Sequence, residues 1–475
     1  MLPDLLSAGF ALAPVWPALG AIVIALLLLP RARPSERLVA RITTVAVWLS
    51  LLSAACGLAL HLSHGPVDYR LGNWYDAAEY SFPLVMLFDG LAAVMSAFVA
   101  LMVVTTVRFS TTYLHREPGF VRFFVLTLFF AAGMQLLVLA GSVELLFIGW
   151  EFVGLSSVLL VAFFHERAMP VQAALRVLVT YRVCDIGLLL GAVGLHHWLG
   201  TTVWVDIFAR LPGHAGAAAG LAIGLALVFA AMGKSAQFPV GGWLPRAMEG
   251  PTASSAVFYG SLSVHAGVFL LLRAAPLLEQ SLTTRVVLIV VGLTTAVIAA
   301  LSSQVSADAK SAVAHATASQ VGLMFVECGL GFYTLATVHL IAHATLRYYQ
   351  FLRTPTALHD ALWQQAALGR TDSDEAAARW EGVALVRRRA LYRLALERFA
   401  VEPALDRLVT RPIMNLSRLL DRLENGLLAL HGRQPEAGTG APLPVMAPDL
   451  NGDRAPARPA LSDLRADHGA PEART

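Results

Sequence analysis

Five ionisable side chains stand inside otherwise apolar stretches: Glu151, Lys234, Lys310, His339 and His343. A charge at the centre of a bilayer costs roughly 2.5–3.5 kcal/mol even on the lenient insertion scale, so each needs a reason to be there. Lys234 and Lys310 are the sole lysines among 35 basic residues. Arginine keeps its proton in any realistic protein site, whereas a buried lysine can exchange its own. A chain that uses arginine for fixed charge and lysine at two apolar positions therefore suits proton movement. Around these five lie Arg182 and Asp185, three apart on one helical face and able to pair, and Arg347, in register with His339 and His343 at i, i+4 and i+8. His265 and His315 are further candidates for the same network. The competing reading is a set of ion pairs that hold helices together. For His265 or His315 taken singly it is a hydrogen-bonded interior histidine. His339-x-x-x-His343 has metal-ligand spacing, but no third or fourth ligand accompanies it, so no metal site is assigned.

The elements that carry these groups follow from composition. The chain is 57% hydrophobic and 14% charged, against roughly 45–50% and 25% in soluble proteins. Apolar runs of transmembrane length recur along it. About eleven spans are expected, near residues 10–29, 38–62, 84–107, 120–140, 143–164, 171–198, 216–238, 253–276, 284–303, 309–330 and 333–353. The fold class is thus an all-α polytopic membrane protein. Its seventh helix is expected to be interrupted, because Pro239 removes a donor and Gly241-Gly242 follows. The N-terminus lacks the basic region of a cleavable leader, so the first run is expected to stay as a helix. Arginines of the RARPSER loop, with Arg108, Arg116, Arg122, Arg167 and Arg246, mark the cytoplasmic side. The N-terminus is then expected outside and the C-terminus in the cytoplasm.

Residues 1–353 form the transmembrane domain in this reading. Residues 354–432 are cytoplasmic or membrane-surface helices: LSRLLDRLENGLLALHG has apolar positions at helical spacing, which suits an amphipathic helix on the bilayer or a small helical hairpin equally. Residues 433–475, rich in Pro, Ala and Gly, are expected to be disordered. The formal charge of +3 gives no case for nucleic acid. Cys56, Cys184 and Cys328 lie far apart and read as packing residues.

The motifs FDG (88–90), RFF (122–124), GWEFVGLSSVLL (149–160), RVCDIGLLLG (182–191), GKSAQFP with WLPRAMEGPTASSA (233–256), DAKSAVAHATASQVGLMF (308–325) and HLIAHATLR (339–347) carry a resemblance. They look like the antiporter-like L-type subunit of respiratory complex I and its relatives in Mrp antiporters and membrane-bound hydrogenases. That resemblance implies a proton-translocating membrane subunit without cofactor of its own, partnered by other membrane subunits in a bacterial cell membrane. It implies a Glu151–Lys234 pair in the proton half-channel, Lys310 as central lysine, His339 and His343 as relay histidines, and Arg182 and Asp185 as neighbours. No nucleotide, flavin or iron–sulfur motif is found, so any redox chemistry belongs to another subunit. The chain departs from the family pattern at Gly241 and Tyr259, where histidines are usual, at His315, where tyrosine is usual, and at Arg347, where lysine is usual. No PPFxGFFSK-type segment with a further lysine follows residue 353. Two other readings stay open. One is the membrane subunit of a DAB-type proton-coupled inorganic-carbon uptake system, partnered by a soluble zinc protein; the other is a non-conducting structural subunit.

Overall fold

The computed structural model describes residues 9–29, 34–77, 80–213, 216–306, 308–368, 385–396 and 411–430, with isolated positions 399, 404 and 407. The expected disordered tail lies outside the described residues.

The chain is mostly helical, and each of the eleven predicted segments overlaps one helix. In order these are α1 (Val15–Leu28), α2 (Glu36–His64), α3 (Gly90–Tyr113), α4 (Phe120–Leu139), α5 (Val143–Val161), α6 (Ala168–Leu199), then a short α7 (Trp204–Arg210) and α8 (Ala217–Lys234). There follow α9 (Thr252–Arg273), α10 (Leu282–Val305), α11 (Ala309–Leu330) and α12 (Tyr333–Leu368). Seven of them, α2 to α6, α9 and α10, are long and apolar enough to cross a membrane, and α1 and α8 are shorter apolar helices. Beyond these, α13 (Leu385–Leu396) lies against α10, where Ser302 Oγ donates to the Ala395 carbonyl at 3.1 Å.

Helix starts follow capping chemistry: Ser35, Asp89, Ser142, Ser281 and Asp308 each accept a hydrogen bond from a backbone N–H in the first turn. Two helices end on left-handed glycines, Gly200 (φ 67°) and Gly331 (φ 86°). Outward faces are apolar, as in Val286, Val290, Leu293 and Val297 of α10, whereas inward faces carry small residues. The α10–α11 contact depends on two of them: a Cβ on Gly322 would lie 2.6 Å from the Gly292 carbonyl oxygen, and one on Gly292 would collide with the Gly322 carbonyl. The ring of helices leaves α9 buried along its whole length.

Three features depart from expectation. The fold is not purely helical. An antiparallel hairpin, β1 (Val67–Ala77) and β2 (Tyr80–Phe88), occupies what was taken as the head of the third span. The apolar run PLVMLF has no helical period to mark it, and runs of that length do not separate strand from helix. Gly141 N donates to the Val85 carbonyl at 2.7 Å and ties the hairpin to the helices; a Cβ at Gly141 would lie 2.6 Å from Val85 Cγ1. Second, α8 stops at Lys234, five residues before Pro239. Third, α9 is itself irregular, with a π turn over Ser255–Ser261 closed by Leu262 N donating to the Val257 carbonyl at 2.8 Å.

The chain divides into two compact units, Met1–Pro403 and Ala404–Thr475. The described part of the second is α14 (Arg411–Leu430), with Leu416, Leu419, Leu420 and Leu423 exposed on it. That spacing is amphipathic.

Candidate functional site

Lys234 is the last residue of α8 and is 1% exposed. Past it the backbone turns sharply. Ala236 takes a left-handed conformation (φ 52°), Gln237 N donates to the Met232 carbonyl at 3.0 Å, and Phe238 N donates to Thr295 Oγ1 at 2.9 Å. The break is therefore satisfied by protein, as membrane depth requires. Gly241 belongs to this turn: a Cβ there would run into the Ala236 carbonyl. That contact is a physical reason for glycine where relatives have histidine.

The Lys234 ammonium has no hydrogen-bond partner among the described residues. Aromatic faces hold it instead, with Nζ 4.1 Å from the Tyr181 ring centroid and 5.3 Å from that of Trp150. Such desolvated cation–π contacts contribute about 2 kcal/mol. Gly154 completes the box, since a Cβ there would stand 2.5 Å from Nζ. Trp150 is fixed in turn by Nε1 donating to Asp185 Oδ1 at 2.6 Å.

Glu151 meets Arg182 rather than Lys234. The Arg182 Nη2 contacts Glu151 Oε2 and lies 3.3 Å from Asp185 Oδ2. The Arg182–Asp185 pairing expected from their spacing is thus present, with Glu151 joined to it. The direct Glu151–Lys234 pair implied by the resemblance is not formed, because the guanidinium takes the carboxylate.

A second cluster gathers on α9 and α12. His265 Nε2 and His343 Nδ1 are 3.1 Å apart, and Arg347 Nε donates to His343 Nε2 at 3.0 Å. The His339 and His343 ring centroids are 5.9 Å apart, and His339 Nδ1 lies 2.8 Å from Glu327 Oε1. The i, i+4, i+8 spacing places all three α12 groups on one stripe, and His265 from α9 is the group that joins them.

The two clusters approach through α9. Ser235, next to Lys234, donates from Oγ to the Val264 carbonyl at 2.8 Å, one residue before His265. The Tyr181 hydroxyl faces Ser263. Ser263 Oγ is 3.5 Å from Ser157 Oγ, and Tyr259 OH donates to the Ser157 carbonyl at 3.1 Å. These hydroxyls, unremarked as functional groups in the sequence, line the space between lysine and histidines.

Lys310 stands apart. Its Nζ donates to the Gly250 carbonyl at 3.3 Å, at the head of α9, and no printed bond among the described residues joins it to either cluster. His315 is buried in α11. Among the described residues no group of His, Cys, Asp and Glu could hold a metal ion.

One ion pair escaped the sequence reading. Arg273, 3% exposed at the end of α9, makes two contacts with Asp89, the N-cap of α3: Nη1 with Oδ2, and Nη2 with Oδ1 at 3.1 Å. Burial pushes the Asp89 carboxyl up, but the Arg273 charge and hydrogen bonds, with the Ala92 N–H, bring it below the usual carboxylate range.

Residues 140–366 match the family model described as NADH:quinone oxidoreductase/Mrp antiporter, TM. Residues 74–124 match that of the NADH-ubiquinone oxidoreductase (complex I) chain 5 N-terminus, and together the two stretches take in more than half of the chain. NADH-ubiquinone oxidoreductase chain 5 of Rhizopus stolonifer is 35% identical over 313 residues, 66% of this chain and 48% of the relative. NAD(P)H-quinone oxidoreductase chain 5 of Picosynechococcus sp. is 33% identical over 360 residues, 73% of this chain and 54% of the relative. The chain thus spans about half the length of the curated relatives it matches. Among solved structures, the Mrp complex from Dietzia sp. has a chain superposing with a TM-score of 0.61 at 31% identity, over 73% of this chain and 37% of that one. The archaeal membrane-bound sulfane sulfur reductase complex has one at 0.62 and 19% identity, covering 72% and 70%, a likeness of fold. This multi-pass membrane protein belongs to the antiporter-like membrane subunits shared by NADH:quinone oxidoreductase and Mrp complexes, the family of complex I chain 5.

Proposed function

We propose that the chain is a proton-conducting subunit of a multisubunit membrane complex, driven by chemistry in another subunit. The observation that carries this reading is Lys234: a buried ammonium without hydrogen bonds, beside three charges that can rearrange. With Glu151, Asp185 and Arg182 ionised, the cluster is neutral when Lys234 holds its proton. While Arg182 sits on both carboxylates, the lysine has aromatic faces alone. If Arg182 withdraws, Glu151 is free to approach the ammonium. A unit charge pair at 4 Å is worth about 4 kcal/mol at an effective dielectric of 20, nearly a thousandfold in proton affinity. Movement of one guanidinium is thus enough to switch Lys234 between holding and releasing a proton. Released, the proton has the Tyr181, Ser263 and Ser157 hydroxyls beside it and His265 beyond. Lys310, His339 and His343 complete the relay in this proposal, with His315 at its margin.

Arginine-rich loops support a cytoplasmic C-terminus and an outer N-terminus in a bacterial cell membrane. The partners are other membrane subunits, since the relatives in the Mrp and sulfane sulfur reductase structures are parts of complexes. The test is proton uptake by proteoliposomes of the assembled complex. Lys234→Ala and Glu151→Gln are expected to abolish it while the protein still inserts; normal flux in either variant refutes the assignment. Arg347, fixed in charge where relatives keep lysine, favours instead a non-conducting structural subunit, and an unchanged rate for Lys310→Arg supports that reading. Co-purification of quinone and iron–sulfur subunits supports a redox pump, and of a soluble zinc protein the DAB-type uptake system.

A further inference from the structure

The hydrogen bonds around His343 leave a single arrangement of protons. Arg347 Nε can act only as a donor, because a guanidinium has no acceptor. Its bond to His343 Nε2, at 3.0 Å, therefore requires a lone pair on that nitrogen. A neutral imidazole carries one N–H, so the His343 proton is on Nδ1. Nδ1 faces His265 Nε2 at 3.1 Å, which must accept, and the His265 proton is in turn on Nδ1. A doubly protonated His343 would point an N–H at the Arg347 N–H, and the bond could not form.

We infer that Arg347 closes the histidine pair to protons by occupying the lone pair of His343 Nε2, and so fixes both rings as Nδ1–H tautomers. In this arrangement both acceptor nitrogens are in use, one by Arg347 and one by His343. The pair can then neither bind an extra proton nor pass one along. When Arg347 moves off, a proton can add at His343 Nε2, the Nδ1 proton crosses to His265 Nε2, and the His265 Nδ1 proton leaves. One proton goes in and one comes out, and both rings end as Nε2–H tautomers. Arg347 cannot return until His343 Nε2 is again free, so its docking is tied to resetting the pair. The guanidinium has places to hold it in either state, since Nη1 donates to Gln350 Oε1 at 2.6 Å and Nη2 to the Ala316 carbonyl at 3.2 Å. The other ionisable groups at this end, His339 and Glu327, are bonded to each other and take neither nitrogen of His343. Arg347 is thus a positioning residue. The transport consequence rests on the proton-conducting reading; the tautomer assignment does not.

The experiment is solid-state NMR of the full chain in its complex, in lipid, with ¹⁵N-labelled histidine. His265 and His343 are identified by the signals lost in His265→Asn and His343→Asn. Wild type is expected to show protonated Nδ1 and bare Nε2 on both rings at neutral pH. Arg347→Met is expected to convert His343 at least partly to the Nε2–H form and to raise undriven proton leak in proteoliposomes about tenfold. Arg347→Lys, which keeps a donor, is expected to restore the wild-type tautomer. An Nε2–H or doubly protonated His343 in the wild type overturns the inference, as do tautomers unmoved by Arg347→Met. Should that variant fail to assemble, the wild-type spectrum decides. If the tautomers follow expectation while no preparation conducts protons, the lock stands and the conducting function fails.

Discussion

Gly154→Ala separates the lysine box from the stability of the helix that carries it. The added methyl would stand 2.5 Å from Lys234 Nζ and 3.5 Å from Tyr181 Cδ2. Contact with the ring is ordinary. Contact with the ammonium is about 1 Å too short, taking a normal heavy-atom separation of ~3.5 Å. The end of a lysine is the part that yields, so Nζ is pushed away from its place over Tyr181 and part of the cation–π contact, about 2 kcal/mol in full, is lost. Meanwhile alanine is favoured over glycine inside a helix by ~1 kcal/mol. The two effects nearly cancel in stability. They do not cancel in transport, because a 1 Å displacement of a reacting group costs up to about a hundredfold in rate. The expected outcome is a melting temperature within a few degrees of wild type and proton uptake reduced at least tenfold. The assay pairs thermal unfolding in detergent with fluorescence-detected acidification of proteoliposomes. Unchanged uptake refutes the argument that the box positions the ammonium. A fall in melting temperature of ten degrees or more refutes the argument that the lysine yields and the backbone does not.

Asp89→Asn keeps the N-cap but strands the buried Arg273 guanidinium, and a loss of about 3–5 kcal/mol is expected in unfolding measurements. Because the folded Asp89 carboxyl lies below its ordinary range, its stabilising contribution is present above the unfolded value. It is lost as pH falls through the folded value, so melting temperature should drop below about pH 4 in the wild type and less in Asp89→Asn. Gly322→Leu should separate α10 from α11 and lower stability by several kcal/mol, whereas a leucine at the lipid-facing Val290 should change it little; equal effects would refute the close approach. Trp150→Phe keeps an aromatic face for Lys234 but removes the bond to Asp185, and is expected to lower proton uptake while Tyr181→Leu lowers it further.

Helix placement was legible because the chain writes its spans as long apolar runs, and glycine, proline and capping residues mark their ends. Arg182–Asp185 and the α12 stripe were legible because both lie within one helix, where spacing settles who faces whom. What spacing does not settle is contact between helices. Arg182 reaches across to Glu151 and displaces it from Lys234, and His265 joins a stripe 78 residues away. Arg273 finds Asp89 over a still longer separation. The end of α8 was misplaced for a different reason: proline is the loudest breaker, but Gln237 and Phe238 had already taken their hydrogen bonds elsewhere. The hairpin was missed because an apolar strand of nine residues looks like a helix head.

The π turn of α9 has a consequence for how such a chain tolerates insertions and deletions. A π turn holds one residue more than an α turn, so losing any single residue from Ser255–Ser261 would let the segment relax to regular α-helix. Everything after it would then keep its length but turn by about 100°. His265 would swing off His343, and Arg273 off Asp89, without either residue changing identity. A one-residue gap here is therefore expected to silence both contacts at once, and a matching insertion on the other side of the turn to restore them.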